Sequence, residues 1–101
     1  MSFEIWESAK EEFISAYSWY EDRSIGLGEE FAKTISSYYK KIKKNPYQYH
    51  ERESGFRAVV VHGFPYLIVF GIEDETITIY SIFHTSRNPE PLSKRIGGKR
   101  N

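Results

Sequence analysis

The feature that most constrains this chain is a change of period at Asn45–Pro46. Before it, apolar residues recur every three or four positions; beyond Gly55 they come in short, dense runs of β-branched and aromatic residues. Helical spacing in one half and strand spacing in the other describe an α+β fold with its helices grouped together.

The stretch "SFEIW" at residues 2–6 alternates polar and apolar side chains, which reads as a short strand with Phe3 and Ile5 on one face. Ser8 followed by Glu11 has the spacing of a capping box. Ala9, Phe13, Ala16, Tyr17 and Tyr20 then predict an amphipathic helix to about Ser24, ended by the turn "IGLG". A second helix is expected from about Gly28 to Lys44, with Phe31, Ile35, Tyr38 and Ile42 on one stripe. Its last turns gather lysines, which suit the negative end of the helix dipole. Asn45 before Pro46 stops it, because the residue preceding proline is pushed out of helical geometry. So short a turn between the two helices predicts an antiparallel hairpin.

In the second half, "FRAVVV" (56–61), "YLIVFGI" (66–72) and "TITIYSIFH" (76–84) predict a three-stranded antiparallel meander. The middle run is apolar on both faces and should be central. Strict alternation puts Ile77, Ile79, Ser81 and Phe83 on one face of the last strand and Thr78, Tyr80, Ile82 and His84 on the other. The helical hairpin is expected to cover one face of the sheet. The other should be partly open to a partner or substrate.

A chain of 101 residues fits one domain, placed at residues 1–92 with a basic tail at 93–101. The absence of cysteine excludes disulfides, thiolate catalysis and Cys-based metal sites, and no cofactor or metal is expected. No apolar run approaches the roughly 20 residues of a membrane helix, so a soluble, cytoplasmic protein is expected. Fourteen basic residues balance fourteen acidic ones, and net charge alone gives no reason to expect nucleic-acid binding. The charges are segregated, however. Eight acids lie in residues 1–30 against Lys10 and Arg23, five lysines and no acid in 31–44, and five cations against Glu90 in 85–101. An acidic and a basic region of surface follow, either as two solvated helix faces with a basic tail or as a dedicated RNA-binding patch.

Several short motifs lie in a suggestive order. They are "WYE" (19–21), "GLGEEF" (26–31), "NP" with Tyr49 after it, Arg57 opening a strand, "FPY" (64–66), and His84, Arg87 and Pro89 after the last strand. In that order and spacing, over about residues 3–91, the chain resembles the RelE/ParE superfamily of bacterial toxins, in particular its plasmid-stabilisation branch. The resemblance implies a toxin of a type II toxin-antitoxin module, neutralised by a cognate antitoxin. It also implies one of two targets: mRNA on the ribosome, which RelE-like members cleave, or DNA gyrase, which ParE-like members poison. A solitary, non-toxic interaction module of the same fold is a further alternative.

Metal-free RNA cleavage needs a base for the 2′-hydroxyl, an acid for the leaving oxygen and cations on the phosphate. Carried over strand by strand, the first cationic position of the nuclease branch falls on Arg57 and the arginine after the last strand on Arg87. The next cationic positions fall on Val59 and Leu67, and no tyrosine follows residue 80. His84 would then stand in as acid or base, with an ordinary pKa of about 6.5. The candidate catalytic residues are therefore Arg87, His84 and Arg57. Each has a bland alternative: Arg57 pairing with Glu51 or Glu53, His84 bonding its own backbone at a strand end, and Arg87 as an exposed positioning cation. His62, beside a turn, reads as structural, and Ser81 has no evident His or Asp partner. If Val61 or His62 faces Tyr66 and Ile72 faces Thr76 or Ile77, Arg57 should lie level with the start of the last strand. His84 would then be about 15–20 Å away, at roughly 3.3 Å per residue.

Overall fold

A computed structural model of the chain describes residues 1–53 and 55–86. Strand β1 (Ser2–Ile5) leads into helix α1 (Glu7–Arg23), which is followed by α2 (Leu27–Lys44) and a short 3-10 turn (Pro46–Gln48). Strands β2 (Glu51–Glu53), β3 (Phe56–Val60), β4 (Tyr66–Glu73) and β5 (Thr76–His84) complete it. This is the expected α+β fold: the N-terminal strand and the three strands of the meander are all present, and with the additional short β2 they form one five-stranded sheet in the order β1-β5-β4-β3-β2. The meander is its antiparallel centre. β1 joins it in parallel with β5, Ser2 opposite Thr76 through Ile5 opposite Ile79. The domain boundary at 92 and the tail at 93–101 lie outside the described residues.

The helix starts differently from the capping-box reading. Trp6 is the N-cap residue and no side chain caps the helix, so Ser8 lies inside the first turn. The reason is the strand: the Trp6 amide donates to the Ile79 carbonyl at 3.0 Å, and its carbonyl accepts the Lys10 amide at 3.1 Å. The chain thus passes from β1 into α1 with main-chain bonds already made. At the hairpin turn a side chain does the capping. One Glu21 carboxylate accepts both the Gly26 and the Gly28 amide at 2.9 Å, tying the end of α1 to the start of α2. A Cβ on Gly28 would stand 2.8 Å from the Tyr17 carbonyl, so the helices approach too closely there for any larger residue.

Helix packing fills one face of the sheet. Phe31, Ile35 and Ile42 of α2 meet Ala9, Ala16 and Tyr20 of α1, with Ile68, Phe70, Ile77, Ile79 and Ile82 of the sheet beneath them. The rings of Tyr20, Phe31, Phe64 and Tyr66 interlock at the centre, mostly edge to face. The opposite face is not the partly open surface expected from the sequence. Phe56, Leu67, Val69, Tyr80 and Phe83 form a second buried cluster, with Trp6 and Ala58 packed against it.

Alternation along β5 also breaks. Val69 pairs with Ser81 and Phe70 with Ile79, so Tyr80 is an extra residue in a β-bulge. The phase flips at that point: Ile77, Ile79 and Ile82 belong to the helix-side core, whereas Tyr80 and Phe83 belong to the second cluster. The expected grouping of Phe83 with Ile77 and Ile79, and of Ile82 with Tyr80, is therefore corrected by one inserted residue.

Candidate functional site

Arg57 lies on the helix-side face of β3. Its Nη1 donates to the Tyr49 carbonyl at 2.7 Å, its Nη2 stands 3.9 Å from Glu51, and its guanidinium lies over the Tyr47 ring at 5.3 Å. These contacts moor the segment that runs from α2 into β2. The pairing with Glu51 is the bland alternative considered for this residue.

His84 ends β5 and faces Tyr66, ring to ring at 5.3 Å. Its Nδ1 accepts the Ser86 amide at 3.1 Å, which leaves the proton of the neutral ring on Nε2. Backbone bonding at the strand end, also foreseen as the bland reading, is thus present. Arg87 lies outside the described residues.

The pairing separates two of the candidates. Arg57 is opposite Phe70, and Phe70 opposite Ile79, so Arg57 is level with the middle of β5 and not its start. His84 is opposite Tyr66, four residues further along β4. Four steps of roughly 3.3 Å and two strand spacings of about 4.8 Å separate their backbones by about 16 Å. That is within the expected range.

What the sheet does bring together at the end of β5 is different. Glu12 of α1 accepts the Ser81 hydroxyl and the Ile82 amide through one carboxylate oxygen, both at 2.9 Å. Beyond Ile79 there is no β1 residue for β5 to pair with, and Glu12 takes the place of a strand there. Glu12 and His84 both line a groove of about 460 Å³ between α1 and β5, with Glu11, Ala16, Trp19 and Ile82. A sequence signal for Glu12 existed: it falls between Ala9 and Ala16 on the apolar stripe of α1, where a carboxylate requires a partner. Ser81, left without a partner in the sequence, is that partner.

Other polar side chains serve the fold. The Tyr38 hydroxyl accepts the His62 amide at 3.0 Å, so His62 is engaged through its backbone. The Tyr17 hydroxyl donates to Glu29 at 3.2 Å, and this bond, with the charge of Glu29, pushes its pKa above the ordinary tyrosine value. Burial raises that of Tyr49 as well. Among the described residues no group of three His, Asp or Glu side chains is placed to hold a metal ion, and no helix is long and apolar enough to cross a membrane.

Comparison with known proteins bears on this arrangement. Residues 3–89 match the family model described as the ParE toxin of the type II toxin-antitoxin system parDE. A search of curated proteins gives no match. Among solved structures, the fold is similar to a chain described as "Chromosomal ParDE TA system from P. aeruginosa". That likeness has a TM-score of 0.72 at 19% identity and covers 83% of this chain and 95% of the other.

Proposed function

The chain belongs to the ParE toxin family of type II toxin-antitoxin systems, and from that premise we propose that it acts in the cytoplasm by holding DNA gyrase rather than by cutting RNA. As the toxin component of such a module it is bound by an antitoxin. The observation that carries the choice of target is the separation of Arg57 from His84 and the mooring of Arg57 to Tyr49 and Glu51. Cleavage of RNA needs base, acid and cations at a single phosphate. A toxin that poisons an enzyme by binding needs complementary surface and no proton transfer.

Expression without antitoxin, followed by plasmid topology and mapping of mRNA 5′ ends in the same cells, tests this. Arrested growth with altered supercoiling and unchanged mRNA ends is the expected result, reproduced by purified protein on purified gyrase. New mRNA ends that vanish in His84→Ala or Arg87→Ala would replace it with the endoribonuclease reading. Unimpaired growth would leave the interaction module without toxicity.

A further inference from the structure

The solvent face of α2 carries a charge pattern that its own fold does not require. Lys40, Lys41, Lys43 and Lys44 are all exposed, away from the buried stripe of Phe31, Ile35, Tyr38 and Ile42. Helical spacing sets Lys40 and Lys44 one turn apart on one line, with Lys41 and Lys43 to either side. Residues 31–50 contain no acid, so no carboxylate stands three or four positions from any of the four. Lys40 and Lys44 instead repel each other, at a small cost to the helix. Lys33, two turns earlier, differs, because Glu29 and Glu30 precede it by four and three positions. Among the described residues none of the four lysines makes an ion pair.

The helix terminus explains part of this pattern, since cations suit the negative end of the dipole. Its last carbonyls, however, are met by other groups. The Lys41 carbonyl accepts the Asn45 amide at 3.1 Å and the Gln48 side-chain amide at 3.3 Å, and the Asn45 carbonyl accepts the same Gln48 group at 2.9 Å. Two of the ammonium groups are held against rings: Lys41 lies 5.0 Å from the centre of Tyr38, and Lys43 lies 4.7 Å from that of Phe3. Just past the helix Tyr47 is 59% exposed, with the Arg57 guanidinium over its ring. A local cationic end without counter-charge thus exists on a chain whose net charge is zero.

Such a surface suits a polyanion whose charges repeat at close spacing. A membrane takes an amphipathic helix whose apolar side enters it, but that side of α2 is already buried in the core. Single-stranded nucleic acid is gripped by several stacking rings. At this end Tyr47 is exposed, whereas Tyr38 is buried and Phe3 packs on Tyr39. Duplex phosphates require neither insertion nor stacking, and lysines meet them as point charges whatever the sequence.

We propose that the lysine face at the end of α2 rests on the phosphate backbone of duplex DNA, namely the DNA that gyrase holds while the toxin is bound to it. Contact with enzyme and DNA together gives a firmer hold on the joined complex than contact with either alone. This assignment rests on the gyrase reading and adds to it a second ligand and the side chains that meet it.

The test titrates the purified full chain into a short labelled DNA duplex, read by fluorescence anisotropy at several salt concentrations. The logarithm of affinity should fall against that of salt with a slope of about −3 to −4, because four neutralised phosphates contribute roughly 0.9 each. Lys40→Gln combined with Lys44→Gln should reduce that slope by about 2 and weaken binding at low salt by at least about tenfold. The same double variant should need about tenfold more protein to alter supercoiling by purified gyrase. Glutamine matches lysine in helix propensity, and circular dichroism checks that α2 persists. Lys33→Gln should behave as wild type in both assays. Absence of duplex binding at low salt, or a double variant that matches wild type in either assay, would overturn the contact, and altered supercoiling by the wild type would still leave the gyrase reading in place. Duplex binding that depends on Lys40 and Lys44, in a protein that leaves supercoiling unchanged, would overturn the gyrase reading and with it the assignment to gyrase-held DNA. Tighter binding to single-stranded RNA, or to vesicles containing phosphatidylglycerol, than to duplex DNA would give the face to that ligand and overturn the proposal.

Discussion

The two halves of β5 solve the same problem by different means. Along Thr76–Ile79 the strand has a neighbour on each side, β4 and β1, and every ladder group there has a backbone partner to face. Along Ser81–His84 the outer neighbour has ended, and a helix carboxylate, Glu12, receives the Ile82 amide in its place. The bulge at Tyr80 divides the halves. A regular edge can be satisfied by any strand of matching length, whereas a bulged edge presents its donors at irregular positions and is met by a side chain that reaches them. The first solution distributes stabilisation over many contacts; the second concentrates it in one residue.

The comparison breaks most visibly in the first half. Ile79 is fully buried beneath the end of β1. Ile79→Ala should lower the unfolding free energy by about 2–5 kcal/mol, read from urea titration, because it leaves a cavity in a packed core. Amide exchange should quicken more at Glu4 and Trp6 than at Ile82, since the half that opens is the one held by β1. Equal quickening on both sides of the bulge would show that β5 responds as one unit and that the division is only geometric.

In the second half the expected effects are smaller and sharper. Glu12→Ala removes the acceptor of both the Ser81 hydroxyl and the Ile82 amide, for a cost of about 1–3 kcal/mol. Ser81→Ala removes one donor and leaves Glu12 bonded to Ile82, so about 0.5–1.5 kcal/mol is expected. A double-mutant cycle should find the two costs less than additive, because they share one carboxylate. Full additivity would mean that Glu12 contributes by packing α1 on the sheet and not by its bonds to the bulge.

These residues also show where the sequence was readable. Hairpin registers were legible to within one residue because turn residues and apolar runs set them locally: of Val61 and His62 it is Val61 that meets Tyr66, and of Thr76 and Ile77 it is Ile77 that meets Ile72. Central placement of β4 followed from its apolar residues on both faces. The bland reading of Arg57 was within reach because Glu51 lies six positions away. By contrast, the pairing of β1 with β5 joins residues more than seventy positions apart, and nothing in "SFEIW" names its partner strand. A bulge at Tyr80 leaves no mark either, since "TITIYSIFH" reads as unbroken alternation. That one inserted residue turned Phe83 and Ile82 to unexpected faces and hid the bond between Ser81 and Glu12. The capping box failed for a related reason, because a parallel strand ending in Trp6 had already set where α1 begins.

The effect that is smallest at neutral pH, and grows only in alkali, connects the two halves. Tyr39 of α2 packs against Phe3 of β1, with ring centres 5.5 Å apart. Its hydroxyl pKa is raised above the ordinary value of 10.0, first by burial and second by the negative charge of Glu12. Below about pH 10 the phenol keeps its proton in both the folded and the unfolded chain, and its contribution to stability is whole. As pH rises past that point the unfolded chain loses the proton and the folded chain keeps it, so unfolding gains free energy with each further increment. The loss approaches ~1.4 kcal/mol per pH unit and stops only when the folded phenol ionises in turn. Tyr39→Phe should reduce the alkaline slope of the stability profile, measured by urea titration from pH 8 upward, and leave the part that the raised Tyr17 and Tyr49 contribute. Glu12→Gln should leave the onset unchanged and end the slope at a lower pH, because only the folded-state value falls when the carboxylate charge is gone. If the Gln variant followed the wild-type profile throughout, the carboxylate that caps one half of β5 would be electrostatically separate from the β1 side, and the two halves would be independent in charge as well as in structure.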